Sequence, residues 1–356
     1  MSGEIGNSHE SGTIFVTGGG GFLGGHLTHS LAAVGMRVVV IERPGFDFSS
    51  LPASVEGRHA DIRDIQGLKK ALTGCRGSEV YHLAANPHLW ARDRGEFDAV
   101  NHRGARNVID IALAAGASRV LHCSTESILT KRDWPADRAI DEQVEIAESD
   151  AVGPYCLSKL RAENYVIEMG RKGFPVVVAN PTMPIGPEDP GPSPPTCLIL
   201  DFLGGRMPGY MDCRLNLVDA RDVAEGLIRV MKYGLPGRRH LLAGENLSLA
   251  QFLEHLGMLT GCPVPKIRVP YLVGMVYAYL SECVADRISG RRPMATVTGL
   301  RLARRVMHFD DSATRTLLKW QPRPMQESLE DTLTWIVRSG RFPESIRIAA
   351  RFDSLV

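Results

Sequence analysis

A glycine-rich turn near the start of the chain constrains the fold more than any other stretch. Residues 13–27 read Thr-Ile-Phe-Val-Thr-Gly-Gly-Gly-Gly-Phe-Leu-Gly-Gly-His-Leu, a short apolar β-prone run, four glycines, and then apolar residues at helical spacing. Gly18, Gly21 and Gly24 have the spacing G-x-x-G-x-x-G, and their missing Cβ atoms let a pyrophosphate approach the backbone at a helix N-terminus. The turn predicts a dinucleotide site, with a plain glycine-rich turn as the alternative.

Composition limits the class of protein. The 356 residues are 44% apolar, which suits a large core and predicts one nucleotide-binding domain plus a smaller lobe. Because 41 Lys and Arg nearly balance 40 Asp and Glu, we expect no nucleic-acid partner. Residues 1–10 are polar and predict a disordered leader rather than a signal peptide. The seven cysteines form no C-x-x-C pair, which favours reduced thiols in a cytoplasmic protein and no metal site.

The chain after the turn alternates between strand and helix patterns. Residues 37–42 form a continuous apolar run ending in an acid, as in a strand buried on both faces of a parallel sheet. Further strands are predicted at 79–85 and 119–124, with a helix at 101–115 between them. This alternation predicts an α/β fold with a doubly wound parallel sheet, the Rossmann arrangement.

The end of the second strand bears on the choice of cofactor. Glu42 lies 24 residues beyond Gly18, near the position where an acid accepts hydrogen bonds from the adenosine ribose of NAD. Arg43 could instead pair with the 2′-phosphate of NADP, although the adjacent carboxylate would repel that phosphate. The pair favours NAD over NADP and leaves NADP, or a merely solvated Glu42, as alternatives.

Two further segments are expected to line the cofactor. Asp61 and Ile62 lie where a contact to the adenine edge is common in such sheets. Leu83 is followed by two small residues, Ala84 and Ala85, which would let a cofactor pass close to the strand end. The loop beyond them carries substrate candidates, His88 and Trp90, although a loop histidine is more often a surface residue.

Tyr155 and Lys159 indicate proton chemistry. Apolar residues recur at helical spacing around them, so the four-residue separation places the phenol and the ammonium on one face of a helix. A nearby cation favours the phenolate and brings the tyrosine pKa towards a range useful for proton transfer. The pair follows the predicted strand at 119–124, which favours a catalytic interpretation over a chance pairing.

Together these motifs resemble the extended short-chain dehydrogenase/reductase family, in its NAD-dependent epimerase/dehydratase group. The resemblance runs from Thr13 to about Val337 and rests on the glycine turn, the Tyr155–Lys159 motif, and residues 180–187 and 217–224. Residues 201–210 and 323–329 are most similar to dihydroflavonol-reductase-like and hopanoid-associated sugar epimerase-like proteins, which are related to 3β-hydroxysteroid dehydrogenases.

The resemblance implies a role for each matching residue. Tyr155 would be the catalytic acid/base, and Lys159 would tune it and hold the nicotinamide ribose. Thr125 would hydrogen-bond the reacting oxygen, with Ser124 as the fallback, and Asn101 would support the site. The remaining implied cofactor contacts are Phe22, Leu23 and Pro181.

One position departs from the family pattern. Glu126 stands where a small or apolar residue is usual, and we expect its carboxylate to turn to solvent rather than reach the substrate. Met183, in a proline-rich stretch, is a further substrate candidate. His122 and Cys123 are adjacent on a strand and point to opposite faces, so they make a poor metal pair.

The family also implies an interleaved second lobe. The expected boundaries are a dinucleotide-binding domain at 11–180 to which 214–243 returns, a substrate lobe at 181–213 and 244–345, and a tail at 346–356. The most apolar stretch, 270–280, is too short to span a bilayer, which needs about 20 apolar residues. We expect a core or lid helix there, with a peripheral contact to a membrane surface as the alternative.

The predicted activity is hydride transfer between a nicotinamide and a hydroxyl or ketone carbon of a lipid-like substrate, such as a sterol, a hopanoid or another terpenoid. One alternative is a sugar-nucleotide epimerase or dehydratase with a transient ketone, and another is a catalytically silent nucleotide sensor. The family often forms homodimers, which is an expectation by analogy. The expected location is cytoplasmic, at the inner membrane face if 270–280 binds lipid.

Overall fold

A seven-stranded parallel sheet organises the molecule, in a computed structural model that describes residues 12–340. Its strands, in the spatial order β3-β2-β1-β4-β5-β6-β9, all pair in parallel with their neighbours. Burial on both faces explains the continuous Val and Ile runs. The strands are β1 Ile14–Thr17, β2 Val38–Glu42, β3 Glu56–His59, β4 Glu79–His82, β5 Arg119–Cys123, β6 Val176–Pro181 and β9 Leu241–Leu242.

Helices cover both faces of this sheet and build a second lobe. They are α1 Phe22–Ala33, α2 Ile65–Ala71, α3 Gly95–Phe97, α4 Ala105–Ala114, α5 Gly153–Arg171, α6 Pro194–Leu203, α7 Ala220–Tyr233, α8 Leu249–Thr260, α9 Tyr271–Val284, α10 Val297–Ala303, α11 Ser312–Leu318 and α12 Met325–Arg338. Leu27 of α1 and Leu227 of α7 lie in the core of one face, while Leu68 of α2, Val108 of α4 and Val166 of α5 lie in that of the other.

A smaller sheet lies in the second lobe. Its strands, in the order β10-β8-β7, are β7 Met183–Ile185, β8 Arg214–Asp219 and β10 Glu245–Ser248, with β10 antiparallel to β8. A separate apolar core joins these strands to α6, α8 and α12 through Phe202, Phe252 and Leu329. The domain boundaries given above stay predictions, and the predicted leader at 1–10 and tail at 346–356 lie outside the described residues.

The predicted doubly wound parallel sheet is confirmed, with small differences at element ends. The strands expected at 79–85 and 119–124 end at His82 and Cys123. The helix expected from residue 101 is preceded by α3 and a π-helical segment, Asp98–Gly104, which runs directly into α4. Wide π turns inside helices often occur at functional sites, and this one contains Asn101.

The strand order fixes where a ligand can bind. From β1 the chain moves one way to β2 and β3, and it returns on the other side of β1 to form β4, β5 and β6. The loops after β1 and β4 therefore diverge and leave a crevice at the carboxyl ends of the strands, the usual ligand position in open α/β sheets. The glycine turn follows β1, so it lies at this crevice.

The apolar stretch at 270–280 differs from expectation. It forms α9, in which only Ala278 is buried, so the expectation of a core helix is wrong, while that of a lid helix stays a prediction. The helix packs through small side chains and leaves its large ones in solvent, which apolar content alone does not reveal. Within residues 12–340, no helix has both the length and the apolar character needed to cross a bilayer.

Candidate active site

The glycine turn is fitted to a pyrophosphate. Gly18 has φ +76°, and a Cβ there would lie 2.5 Å from the backbone nitrogen of Ala84. A Cβ on Gly24 would collide with the carbonyl oxygen of Gly18. No side chain caps α1, so its first N–H groups are available to an anion. The turn therefore has the shape and the donors that a dinucleotide needs, with Phe22 and Leu23 half-buried at the helix start.

Glu42 lies at the edge of this turn. Its Oε1 accepts a hydrogen bond from the Gly20 backbone nitrogen at 2.9 Å, and burial raises the pKa of the carboxyl above its usual value. The neighbouring Arg43 is exposed. The acid thus lies beside the phosphate cradle, in the place expected of a group that recognises the adenosine ribose.

The predicted adenine contacts are partly occupied by other partners. The Asp61 carboxylate pairs with the Arg63 guanidinium at 2.6 Å, and this hydrogen bond lowers the pKa of Asp61. Ile62 is buried against Gly104, and its carbonyl accepts from the Asn107 side chain at 3.0 Å. Asp61 and Ile62 are adjacent and border the sheet edge beyond β3, but the Asp61 carboxylate is already engaged.

Asn101 joins the second wall of the crevice to the helix that carries Tyr155. Its Oδ1 accepts from the Asn86 backbone nitrogen at 2.7 Å, and its Nδ2 donates to the Asn86 carbonyl at 3.0 Å and to Ser158 Oγ at 3.3 Å. The loop after Leu83, Ala84 and Ala85 is therefore tied to α5. Sequence analysis missed Asn86 and Ser158; the position of Ser158, three residues after Tyr155, was the available signal.

Tyr155 and Lys159 are both buried on α5 and face the end of β5. Lys159 Nζ donates to the Cys123 carbonyl oxygen at 2.7 Å, and burial lowers the pKa of the ammonium. Burial raises the pKa of Tyr155 well above its usual value, while a hydrogen bond with Thr125 opposes that rise. The expectation that the Lys159 ammonium brings the tyrosine pKa down is therefore wrong in this structure: the ammonium bonds the Cys123 carbonyl, and burial keeps the phenol of Tyr155 protonated.

Glu126 is buried, so the expectation that it turns to solvent is wrong. Thr125 begins a 3₁₀ turn, Glu126–Ile128, that runs beneath α5 and leaves the Glu126 side chain in the interior. Thr125 Oγ1 donates to Glu126 Oε2 at 2.8 Å. Desolvation raises the pKa of the Glu126 carboxyl to about 7. A carboxyl that titrates near neutrality therefore contacts the hydroxyl expected to hold the substrate oxygen.

Three more polar groups lie around this pair. Ser127 Oγ is 3.2 Å from Thr125 Oγ1 and accepts from Cys156 Sγ at 3.7 Å. The Oγ of Ser124 is buried and has no hydrogen-bond partner in the described part of the chain. Sequence analysis missed Ser127 and Cys156, although the polar run at 124–127 was a signal. The unpaired Ser124 hydroxyl keeps this residue available as the fallback for Thr125.

The substrate candidates are not brought together. His88 is exposed, and the Trp90 indole nitrogen donates to Asp286 Oδ1 at 2.9 Å, which ties its loop to the residues beyond α9. Pro181 is buried at the end of β6, and Met183 packs on the core of the second lobe. Within residues 12–340, no three His, Cys, Asp or Glu side chains gather as a metal ion would require.

Comparison with known proteins agrees with this geometry. Residues 14–243 match the NAD dependent epimerase/dehydratase family. A dihydroflavonol 4-reductase-like protein of Synechocystis sp. is 33% identical over 92% of this chain and 95% of its own length. Sterol demethylase protein B of Methylococcus capsulatus is 30% identical over 92% of this chain and 99% of its own length. The crystal structure of gox2253 superposes with a TM-score of 0.80 at 31% identity, covering 94% of this chain and all of that one. The chain therefore belongs to the NAD dependent epimerase/dehydratase family of extended short-chain dehydrogenases/reductases and is an oxidoreductase.

Proposed function

We propose that the protein transfers a hydride to or from a hydroxyl or ketone carbon of a lipid-like substrate, such as a sterol, a hopanoid or another terpenoid. The observation that carries the proposal is the buried set of Tyr155, Thr125 and Lys159 beside the dinucleotide crevice. A relative named as a sterol demethylase, similar over nearly the whole chain, supports the substrate class. Net cofactor consumption with a polycyclic ketone or alcohol tests it, because an epimerase regenerates its own cofactor.

The chain's residues control the proton and the oxygen. The nicotinamide supplies or accepts the hydride when it is bound. In ketone reduction, Tyr155 donates its phenolic proton to the substrate oxygen as that oxygen gains charge, and in oxidation it takes the proton back. Thr125 holds the same oxygen by a hydrogen bond, and Lys159 would hold the nicotinamide ribose. The buried site removes competing water from these groups.

Glu126 is proposed as a positioning residue that acts through Thr125. The Thr125 hydroxyl has one proton with which to donate a hydrogen bond. While Glu126 is ionised, that hydrogen bond goes to its carboxylate and not to the substrate oxygen. Once Glu126 is protonated, it donates to Thr125 instead, and the Thr125 proton is free for a substrate carbonyl. Tyr155, Cys156 and Cys123 also face this region from α5 and β5, with Lys159 and Arg305 as the nearby cations. Protonated Glu126 therefore favours binding and reduction of a ketone.

We expect ketone reduction to slow as pH rises through about 7, the pKa of Glu126. Titration of Tyr155 does not explain a fall in rate near pH 7, because burial raises the pKa of its phenol well above the usual value. Glu126→Gln stays uncharged at every pH, so its kcat profile should be flat over this range. Steady-state rates from about pH 5 to pH 9 measure it. If kcat of Glu126→Gln fell across pH 7 as that of the wild type does, Glu126 would not be the group that titrates.

Stability gives a second check that needs no substrate. Because burial raises the folded-state pKa of Glu126, the folded protein binds the proton more tightly than the unfolded chain does. The stability contribution of Glu126 is therefore lost as pH rises from the ordinary glutamate value through about 7. Relative to wild type, Glu126→Gln should gain about 2 kcal/mol near pH 8 and much less near pH 5. Denaturant titrations at both values measure the difference.

NAD rather than NADP is the proposed cofactor. Glu42 lies beside the phosphate cradle and would accept from the ribose hydroxyls, while its charge would repel a 2′-phosphate. We expect Glu42→Ala to weaken NADH binding about tenfold or more and to strengthen NADPH binding, in line with the loss of a charged hydrogen bond. Fluorescence titration with each cofactor measures both. Glu56→Ala, the same change on the edge strand β3, where Glu56 pairs with Arg58, should alter neither, and a wild-type preference for NADPH would contradict the proposal.

Assembly and location follow the same proposal. A homodimer through helices of the sheet domain is inferred from the family resemblance, and light scattering on the full chain tests it. The proposed location is the cytoplasm at the inner membrane face, because a substrate of this class partitions into the bilayer.

A further inference from the structure

The α9 helix is built with its large apolar side chains outward. Leu272, Val276, Leu280 and Val284 recur every four residues and are 76%, 61%, 58% and 48% exposed. Val273 and Tyr277, also exposed, widen the stripe, and these six residues are called the α9 face. Of the seventeen exposed large apolar side chains in the described part of the chain, ten lie between residues 267 and 294. Exposed apolar surface that is concentrated in this way marks an interaction site.

The opposite side of α9 explains this orientation. Gly274 lies against Met211 and Leu300, where an added Cβ would come within 2.9 Å and 3.4 Å of them. Ala278, one turn later, is fully buried, and the next turn carries Glu282, whose Oε1 accepts from the Val297 backbone nitrogen at 2.8 Å. Small and hydrogen-bonded residues thus hold α9 against the lobe, and burying the α9 face against this core would expose Glu282.

The acidic and basic side chains around α9 differ in their surroundings. Between residues 266 and 304 the chain has seven Lys or Arg and two acids, Glu282 and Asp286. Both acids have partners on the protein side: Glu282 pairs with Arg94 at 3.8 Å, and Asp286 bonds Arg94 and Trp90. Three arginines that follow the helix, called the arginine collar, are exposed: Arg287, Arg291 and Arg292, of which Arg292 also donates to Cys197 Sγ at 3.8 Å. The exposed surface of this region is therefore apolar and cationic.

We propose that the α9 face and the arginine collar bind the surface of an anionic phospholipid bilayer. Apolar side chains would enter the boundary between headgroups and acyl chains, and the arginines would contact headgroup phosphates. Asp286, just beyond α9, accepts from the indole nitrogen of Trp90, whose loop follows the cofactor crevice, and α10 packs on Leu89 and Gly153 near Tyr155. As a route for a lipid-like substrate this rests on the proposed function, but the binding itself does not.

Vesicle flotation of the full-length protein tests the surface without any substrate. We expect the protein to float with mixed phosphatidylcholine and phosphatidylglycerol vesicles, to bind phosphatidylcholine alone at least tenfold more weakly, and to be released by high salt. The double variant V276E and L280E should bind at least tenfold more weakly, as should R291E and R292E. Cofactor fluorescence and thermal melting of each variant should match wild type, which separates lost docking from lost folding.

Substitutions at exposed residues elsewhere on the protein serve as controls for the flotation experiment. Exposed Val34 and Met258 lie elsewhere, so V34E with M258E should leave flotation unchanged, as should K69E with K70E, an exposed basic pair on α2. Absence of flotation, or flotation that survives V276E with L280E, would contradict the proposal that the α9 face binds a bilayer. Equal binding to neutral vesicles would overturn its anionic character. A dimer that V276E with L280E dissociates, without vesicle binding, would assign the face to a second copy. Failure of the proposed function appears separately, as absent cofactor turnover in a protein that floats.

Discussion

Replacing Tyr155 with phenylalanine is expected to lower kcat by about a thousandfold, within the range for loss of a general acid. The substitution removes one oxygen from a buried ring that packs edge-on to Phe97 with centroids 6.2 Å apart, so the shape of the site is kept. The proton donor then disappears, while the glycine turn and Glu42 still bind the cofactor. Single-turnover absorbance of the nicotinamide measures the rate, and fluorescence titration should show cofactor affinity within about twofold of wild type.

Tyr165 is a matched control on the same helix. Its hydroxyl bonds the Asp110 carboxylate away from the site, so Tyr165→Phe removes an equivalent oxygen without touching the reaction. We expect kcat within about twofold of wild type for this variant. If Tyr155→Phe kept most of its activity, or if both variants lost it equally, Tyr155 would not be the acid/base and the mechanism would be wrong.

Gly24→Ala is expected to weaken cofactor binding by about a hundredfold or more. A Cβ at this position collides with the Gly18 carbonyl oxygen, which is backbone and has no rotamer to change. The turn must open, and the pyrophosphate then loses its close approach to the backbone; a hundredfold loss corresponds to about 2.7 kcal/mol. Calorimetric titration with NADH measures the affinity, and thermal melting shows whether the fold persists.

Gly25→Ala supplies the comparison one residue later. A Cβ on Gly25 meets no atom within 4 Å, so the turn should keep its shape and the cofactor its affinity. Alanine is also a better helix former than glycine, which should stabilise α1 by up to about 1 kcal/mol. Equal losses of affinity in the two variants would mean that close packing in the turn is not what holds the cofactor.

The sequence predicted best those features that depend on residues close together in the chain. Glycines at a backbone approach, an apolar run ending in Glu42, and a tyrosine four residues from a lysine each depend on neighbours in the chain. These patterns predicted the parallel sheet, and they placed Tyr155 and Lys159 one turn apart on a single helix, where both are buried.

The environment of Glu126 depended on contacts distant in sequence and could not be predicted. Alternation along the strand gives the face of a residue only as far as Cys123, where β5 ends. Beyond it the chain turns beneath α5, whose position is set by the whole βαβ unit. A carboxylate in a polar run is usually solvated, so solvent was the reasonable expectation.

The prediction that residues 270–280 form a core helix was wrong for a different reason. Apolar content predicts burial only if the large side chains face the core, and here Gly274 and Ala278 do so instead. The spacing of small residues, alternating with that of Leu272, Val276 and Leu280, was visible in the sequence. It could not be interpreted until Met211, Leu300 and Val297 were seen on the small-residue side.

The most direct measurement is the stoichiometry of nicotinamide absorbance against product. Purified protein would be offered NADH or NAD with polycyclic ketones and alcohols, and separately with sugar nucleotides, in wild-type and Tyr155→Phe forms. We predict one cofactor oxidised or reduced for each polycyclic product, at a rate about a thousandfold lower in Tyr155→Phe. An isomerised sugar nucleotide with no net change in cofactor would contradict the account in favour of an epimerase. Tight cofactor binding without chemistry on any substrate would contradict it in favour of a nucleotide sensor.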